Sequence, residues 1–342
     1  MTPEAALARV VGGAPLAEDE MAALVGALLD GRMTPAQIGG LAIALRMKGE
    51  TVDELAGAAR AMRAHMTRLP DVPPDAIDTC GTGGDGAGTF NVSTAAALVV
   101  AAAGVPVAKH GNRAASGIVG GADVLEALGV RLELDPGRAA ACLRTTGFVF
   151  LYAPAFHPAL RHAAGPRREL GVRTFFNLLG PLANPAGVRR QMLGVAERRW
   201  VAPLAAVLGR LRVERAWVVH GASGVDELAL DGPSLVADVD AAGVRTFEVS
   251  PADAGLAASS HAALRVGSIA EAAERLRAVL AGAPGAARDV VCLNAGAALV
   301  VAGAARDLRH GAARAAATID AGDARALLER VVAFTRDAGA AA

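Results

Sequence analysis

Two rhythms of apolar and polar positions divide the chain. From residue 1 to about residue 68 the apolar positions recur only at helical spacing. Glu18 to Leu29 carries one such stripe, ending near Gly31. Thr34, Pro35 and Gln37 then give a start signal: a hydroxyl cap, a proline at the first helical position and an amide at the third. The helix they open, GGLAIALRMKG, stops near Gly49. Thr51 and Glu54 repeat the capping-box pattern for a further helix through Met66. Alanine and glycine interleaved with leucine, isoleucine and methionine allow close helix packing. This part predicts a small helical domain with no chemistry of its own, suited to a subunit contact.

Pro70, Pro73 and Pro74 mark a linker. Beyond it the rhythm changes. Strands are predicted at 76–80, 105–108, 147–152, 191–196, 215–220, 234–239 and 244–249, with helices at about 93–103, 122–129, 136–146 and 199–211. The alternation predicts βαβ units and a mostly parallel sheet covered by helices. Residues 158–183 read as helical and break the pattern, so they are expected to leave the sheet domain. From 268 onward the chain is helical and alanine-rich. The fold class is α/β: a small all-helical domain beside a large α/β domain with a mostly parallel central sheet.

Composition narrows the classes. With 342 residues, 53 % of them hydrophobic, the chain can bury a large core. Lys+Arg and Asp+Glu balance at 34 each, which argues against a dedicated nucleic-acid binder. The longest uncharged apolar run, Ala95 to Ala108, has 14 residues and is interrupted by Gly104 and Pro106, too short to span a membrane. The first residues lack the basic and apolar regions of a signal peptide. Cys80, Cys142 and Cys292 are few and far apart, with no metal-ligand spacing, which suits a reducing compartment. A cytoplasmic protein is expected. Only Lys48 and Lys109 are lysines, against 32 arginines, so each is expected to be needed for its compact ammonium.

Candidate chemistry begins at DTCGTGGDGAGTFNVST, residues 78–94. Gly81, Gly83, Gly84, Gly86 and Gly88 let a backbone approach a ligand closely. Asn91, Ser93 and Thr94 then open a helix whose free N–H groups attract anions. The segment formally fits G-x-G-x-x-G. A dinucleotide site, however, wants an acid at the end of the next strand, and here that end is Lys109-His110-Gly111-Asn112-Arg113. NADP would tolerate a cation there, but the helix also begins late, and no G-K-[ST] closes a Walker loop. A phosphate site is the better expectation, a ligand-free glycine turn the alternative. A second turn, KHGNRAASG with Ser116, Gly117, Gly120 and Gly121, adds cations to it. Asp85 suits such a site if a divalent cation sits between carboxylates and pyrophosphate oxygens, and Asp226-Glu227 offers a second pair of carboxylates. An exposed acidic turn is the plainer reading of that pair. Six of the eleven aromatics lie between Phe148 and Phe176, interleaved with His157, Arg167, Arg168 and Arg173. Most of these rings are expected in the core, but the mixture can frame a flat, anionic substrate, with an arginine for its carboxylate.

With GTGGDG, KHGNR, HGASGVDELAL and RTFFNLLGPLANP in place, the chain resembles the anthranilate phosphoribosyltransferase family nearly end to end. The resemblance implies transfer of phosphoribosyl from phosphoribosyl pyrophosphate to anthranilate in tryptophan biosynthesis. It also implies Mg²⁺ dependence and a homodimer formed through the helical domain, while the charge balance and the short apolar runs leave no nucleic-acid or membrane partner expected. Its domain division is 1–70 with about 158–185, helical, against 71–157 and 186–342, α/β. On the donor side it implies Gly81, Thr82, Gly83, Gly84, Asp85, Thr89, Asn91, Ser93, Thr94, Lys109, Gly111, Ser116 and Gly121. Gly81, His110, Asn112, Ala153, Pro154, His157, Arg167 and Pro181 match the anthranilate path, and Ser93, Asp226 and Glu227 the metal ligands. Lys109, Asn112 and Arg167 are the implied catalytic residues. One departure stands out: Gly117-Ile118-Val119 replaces a serine and further polar residues after KHGNR. Pyrimidine nucleoside phosphorylases and a nucleic-acid-binding paralogue share the superfamily. Intact Arg167, Asn112 and His157 favour the transferase.

Overall fold

A computed structural model describes residues 1–114 and 119–337. Four helices come first: α1 (Pro3–Val11), α2 (Glu18–Leu29), α3 (Pro35–Lys48) and α4 (Val52–His65). The two capping boxes are present. Thr34 Oγ accepts from the Gln37 N–H and Thr51 Oγ from the Glu54 N–H, both at 3.2 Å. Glu54 does more than cap. Its buried carboxylate also accepts from the Leu16 N–H at 3.0 Å and pairs with Lys48 at 2.9 Å, tying the start of α2 to the junction of α3 and α4.

The sheet domain follows in the order β1 (Ile77–Gly81), α5 (Val92–Ala102), β2 (Val107–Gly111), α6 (Gly121–Ala127), α7 (Pro136–Thr146) and β3 (Phe148–Tyr152). Next come α8 (Ala153–Phe156), α9 (Arg161–Leu170) and α10 (Phe176–Leu179), then β4 (Arg190–Gly194), α11 (Val201–Arg210), β5 (Arg215–His220), β6 (Ser234–Asp240) and β7 (Gly243–Val249). Four helices close the chain: α12 (Ile269–Leu280), α13 (Ala286–Val301), α14 (Leu308–Asp320) and α15 (Asp323–Arg336). Every predicted strand is found. The strand order is β3-β2-β1-β4-β5-β6-β7, with β1 to β5 parallel and β6 and β7 antiparallel. β5, β6 and β7 have no helix between them, so the parallel crossover is lost and the chain turns back on itself.

Apolar residues fill both faces of the sheet. One face packs against α5 and the C-terminal helices through residues such as Ile77, Phe90, Leu98 and Leu293. The other carries Leu193, Val195, Ala216 and Val218 into a core that continues without interruption through α11 and α10 into α2, α3 and α4. The break in rhythm at 158–183 has its cause here, because α9 packs on α3 and α2, and α10 on α4. No helix of the described residues is long and apolar enough to cross a membrane.

Candidate active site

Going outward from β1, the chain runs first toward β2 and β3, then reverses to β4 and β5. In open α/β sheets a ligand crevice forms at the carboxyl ends of the strands where the order reverses. Here those ends are Gly81 of β1 and Gly194 of β4, paired in register. Asp226 sits over both: a Cβ on either glycine would stand closer than 3.0 Å to it, meeting its carboxylate from Gly81 and its carbonyl from Gly194.

The glycine loop leaves β1 over this pair. Gly83, Gly84, Gly86 and Gly88 all have φ between 61° and 73°, a backbone that side-chain-bearing residues rarely adopt. Thr82 prolongs the ladder through its N–H to the Gly194 carbonyl at 2.9 Å. The Gly83 N–H donates to Asp226 Oδ2 at 2.8 Å, and Asp85 turns its Oδ1 to the Ala87 N–H at 3.1 Å. Thr89 bridges to Arg265, which moors the far end of the loop. Asn91 precedes α5 without capping it. Its amide instead donates to the Val119 carbonyl at 3.2 Å, while its Oδ1 and the buried Thr94 Oγ1 have no partner among the described residues. The Ser93 N–H donates to Glu227 Oε1 at 3.1 Å, so both acids of the distant pair are engaged by this loop and helix start.

Near the end of β2 stand Lys109 and His110, whose side chains alternate between the two faces. Lys109 is buried. Its Nζ donates to the Thr79 carbonyl and, at 3.3 Å, to Ser93 Oγ. Burial pulls the Lys109 ammonium down from its usual value, and Asp78 in β1 opposes this most strongly among its neighbours. Burial, then Asp85, pushes Asp226 up to about 6, while burial, then Asp226, holds Glu227 well above the usual carboxylate range. Asp78, Asp226 and Glu227 thus crowd one ammonium. The donor set of carboxylate and hydroxyl oxygens on Ser93, Asp226 and Glu227 suits Mg²⁺, and a divalent cation among them would favour their ionised forms. Gly111 ends β2 against the Phe150 ring, and Gly121 opens α6 opposite Thr94. Ser116, with Gly117 and Ile118, lies outside the described residues.

His110 faces the other way, its Nδ1 against the Gly180 carbonyl at 3.1 Å. Its ring lies 5.0 Å from that of His157, and the Nε2 of each is buried without a partner among the described residues. Burial holds both neutral, with His110 lowered to about 3 and His157 to about 4. Ala153 and Pro154 begin α8 directly after β3, and the Pro181 carbonyl accepts from Gln191 Nε2 at 2.7 Å. Arg167, on α9, lies 5.2 Å from the centre of the Phe176 ring. No carboxylate pairs with it among the described residues, and burial lowers its pKa. A partly buried guanidinium without an acid suits an anionic ligand. Asn112 follows β2, its Oδ1 accepting from the Arg113 N–H at 2.8 Å.

These histidines have a consequence for stability. Each binds a proton in the unfolded chain below about pH 6.5, and the folded protein resists that proton down to about pH 4 and pH 3. Their contribution therefore rises with pH across that window, by about 1.4 kcal/mol per pH unit for each histidine. Asp226 and Glu227, raised by burial, act with the opposite sign. The difference between wild type and His110→Gln/His157→Gln isolates the histidines. Urea melts between pH 4.5 and 6.5 are expected to show a smaller gain of stability with pH in the double variant. Identical slopes would assign acid sensitivity to other groups.

Not every cation of KHGNR faces the crevice. Arg113 turns to α6, bonding Glu126 at 2.8 Å and Asp123 at 3.3 Å. Several residues of the site carry no sequence signal of their own. Gly194 looks like any glycine after a strand. Asn294, in an apolar stretch of α13, bonds both the N–H and the carbonyl of Leu228 at 2.9 Å and so fixes the chain beyond Glu227. Asp78 accepts from the His110 N–H at 3.2 Å and from Asn184 at 2.8 Å, linking β1, β2 and the loop before β4. A charged residue inside an apolar strand was the available clue to Asp78.

Comparison with known proteins agrees with this geometry. Residues 4–66 match the helical bundle domain, and residues 73–325 the a/b domain, of the glycosyl transferase family. The chain is 51 % identical over 329 residues to the anthranilate phosphoribosyltransferase of Bradyrhizobium diazoefficiens, covering 96 % of this chain and 97 % of the relative. It is 53 % identical to that of Paramagnetospirillum magneticum, covering 96 % and 95 %. Among solved structures, the Thermus thermophilus anthranilate phosphoribosyltransferase superposes with a TM-score of 0.92 at 46 % identity, over 97 % of this chain and 99 % of that one. The Saccharomyces cerevisiae enzyme in complex with PRPP and Mg gives 0.90 at 25 % identity, over 97 % of each. The chain belongs to the anthranilate phosphoribosyltransferase family.

Proposed function

We propose that this protein transfers the phosphoribosyl group of 5-phosphoribosyl 1-pyrophosphate to the amine of anthranilate, releasing pyrophosphate, in tryptophan biosynthesis. The observation that carries this is the meeting of the glycine loop, Lys109 and Asp226-Glu227 at the β1/β4 reversal. The glycine loop and the start of α5 would receive an anion, and Asp226 and Glu227, which now accept from the Gly83 and Ser93 N–H groups, would hold a cation beside it. Mg²⁺ held by Ser93, Asp226 and Glu227 would neutralise charge gathering on the departing pyrophosphate. Lys109 adds a fixed ammonium to the same task, and preorganised charge in a dry site costs no rearrangement at the moment of reaction. Asp85, whose charge reaches Asp226 and Glu227, would add to the negative field that holds the cation. Gly81 to Asp85, Thr89, Asn91, Ser93, Thr94, Gly111 and Gly121 form the donor cradle.

On the acceptor side the neutral arylamine is already nucleophilic, so the step needs no strong base. His110 and His157, with Ala153, Pro154 and Pro181, give a neutral wall, Arg167 takes the carboxylate and Asn112 orients the amine. The helical domain comprises 1–70 with about 158–185, and the α/β domain 71–157 and 186–342. The helical domain supports a homodimer, where Val11 of α1 and Met47 of α3 are exposed apolar residues. Three buried free cysteines suit the cytoplasm.

Mixing the protein with anthranilate, phosphoribosyl pyrophosphate and Mg²⁺ should extinguish anthranilate fluorescence. An unchanged signal at high enzyme concentration would refute the reading. Arg167→Ala is expected to raise KM for anthranilate by about 10- to 100-fold, the range of a lost charge-assisted pair. KM for the donor should change far less. Equal rises would remove Arg167 from the acceptor side.

A further inference from the structure

Arg173 opens the RTFFNLLGP segment between α9 and α10. Its place in the chain groups it with Arg167, on the acceptor side. Its side chain goes elsewhere. Nη2 donates to the Thr82 carbonyl at 3.2 Å, and Nη1 lies where a Cβ on Gly84 would stand. Only glycine leaves the guanidinium that room. From the opposite direction Arg46, in the last turn of α3, donates to the Arg173 main-chain carbonyl at 2.5 Å. The next residues are equally fixed. The Thr174 N–H donates to Asn177 Oδ1 at 3.0 Å, and Phe175 and Phe176 are buried with ring centres 4.2 Å apart. A braced segment therefore reaches from the helical layer to the glycine loop.

The loop has need of such a brace. A Cβ built on Gly83, Gly86 or Gly88 would meet no atom within 4 Å, so little else packs on this backbone. A run of glycines loses much conformational freedom when a ligand orders it. A contact that orders it beforehand lowers that cost at the moment of binding. A planar guanidinium can lie flat on a bare peptide while bonding a carbonyl, which a lysine ammonium cannot do.

We propose that Arg173 is a positioning residue for the donor: anchored to α3 through Arg46, its guanidinium holds the Thr82–Gly84 turn in the shape that receives phosphoribosyl pyrophosphate. The assignment rests on the glycine loop being the donor loop. It also makes α3 and the loop parts of one mechanical unit, so a displacement of the helical layer would be felt at the donor.

The test varies each substrate separately at saturating Mg²⁺ for full-length wild type, Arg173→Ala, Arg173→Met and Arg46→Ala. Arg173→Ala is expected to raise KM for the donor about tenfold, the equivalent of one charge-assisted hydrogen bond. KM for anthranilate should stay within about twofold of wild type, a change too small for a lost contact. Arg46→Ala should move the donor KM in the same direction by a smaller factor. Arg173→Met, which keeps an unbranched apolar stem but not the guanidinium fork, reproduces the split if the alanine variant fails to fold. An anthranilate KM that rises as much as the donor KM, or no change in either, overturns the assignment. A wild type that does not turn over overturns the functional reading instead.

Discussion

Lys109→Met is expected to lower kcat by ~10²–10³, the usual effect of removing one preorganised donor from a developing negative charge. KM for anthranilate should stay near its wild-type value, because Lys109 points to the opposite face of β2 from His110. The ammonium has no freedom to be replaced from solvent. It is 4 % exposed and bonded to the Thr79 carbonyl and the Ser93 hydroxyl. Its loss also leaves Asp78, a buried carboxylate that keeps its bonds to the His110 N–H and Asn184, without the charge that most favours its ionised form. Asp78 escapes part of that loss by protonation, toward which its burial already pushes it. The melting temperature of the variant should therefore fall, and fall less at low pH. Lys109→Arg should not restore turnover, since the larger planar fork does not fit a space closed by the Thr79 carbonyl and Ser93. A Lys109→Met enzyme within about tenfold of wild-type kcat would remove the ammonium from the mechanism.

The second large effect is expected from Gly194→Ala, one methyl group on a residue that bears no chemistry. That Cβ would meet the Asp226 carbonyl inside van der Waals contact, and backbone cannot swing aside as a flexible side chain can. Asp226 is held from above by the Gly83 N–H, and the chain beyond Glu227 is held by Asn294 on α13. Relief therefore comes only by displacing the whole acidic loop. Overpacking of this kind typically costs about 1–3 kcal/mol. The functional loss should be larger, because ligands displaced by about 1 Å lose catalysis on the order of 10²-fold. The signature is a Mg²⁺ titration moved to higher concentration together with reduced kcat. An enzyme with an unchanged Mg²⁺ midpoint would mean that Asp226 and Glu227 hold no cation.

Much of this was legible from the chain, and the limits have physical causes. Strands and helices were readable because each has its own apolar period, and the caps at Thr34 and Thr51 because two hydrogen bonds fix both residue types. The antiparallel turn of β6 and β7 was readable only in the absence of a helix between them. The glycine loop announced itself by density. Gly194 did not, since its need arises from a loop more than thirty residues later in the chain, and close approach leaves no pattern in sequence. Arg113 and Arg173 share the same limit. Both lie in segments rich in candidate ligands, and what separates them from Arg167 is the direction of the side chain. Arg113 is claimed by acids on α6 and Arg173 by a carbonyl of the loop, whereas Arg167 has no acid among the described residues.

The two lysines carry a practical consequence. Lys48 is closed into the helical layer with Glu54, its side chain 8 % exposed, and Lys109 is sealed beneath the glycine loop. All remaining positive side chains are arginine or histidine. No side-chain amine is therefore free on the surface of the folded protein. Amine-directed cross-linkers, acylating reagents and reductive methylation should leave the native side chains almost untouched, and modify Lys109 only as fast as the site opens. A slow, donor-sensitive appearance of that single adduct would make this chain its own reporter of active-site opening.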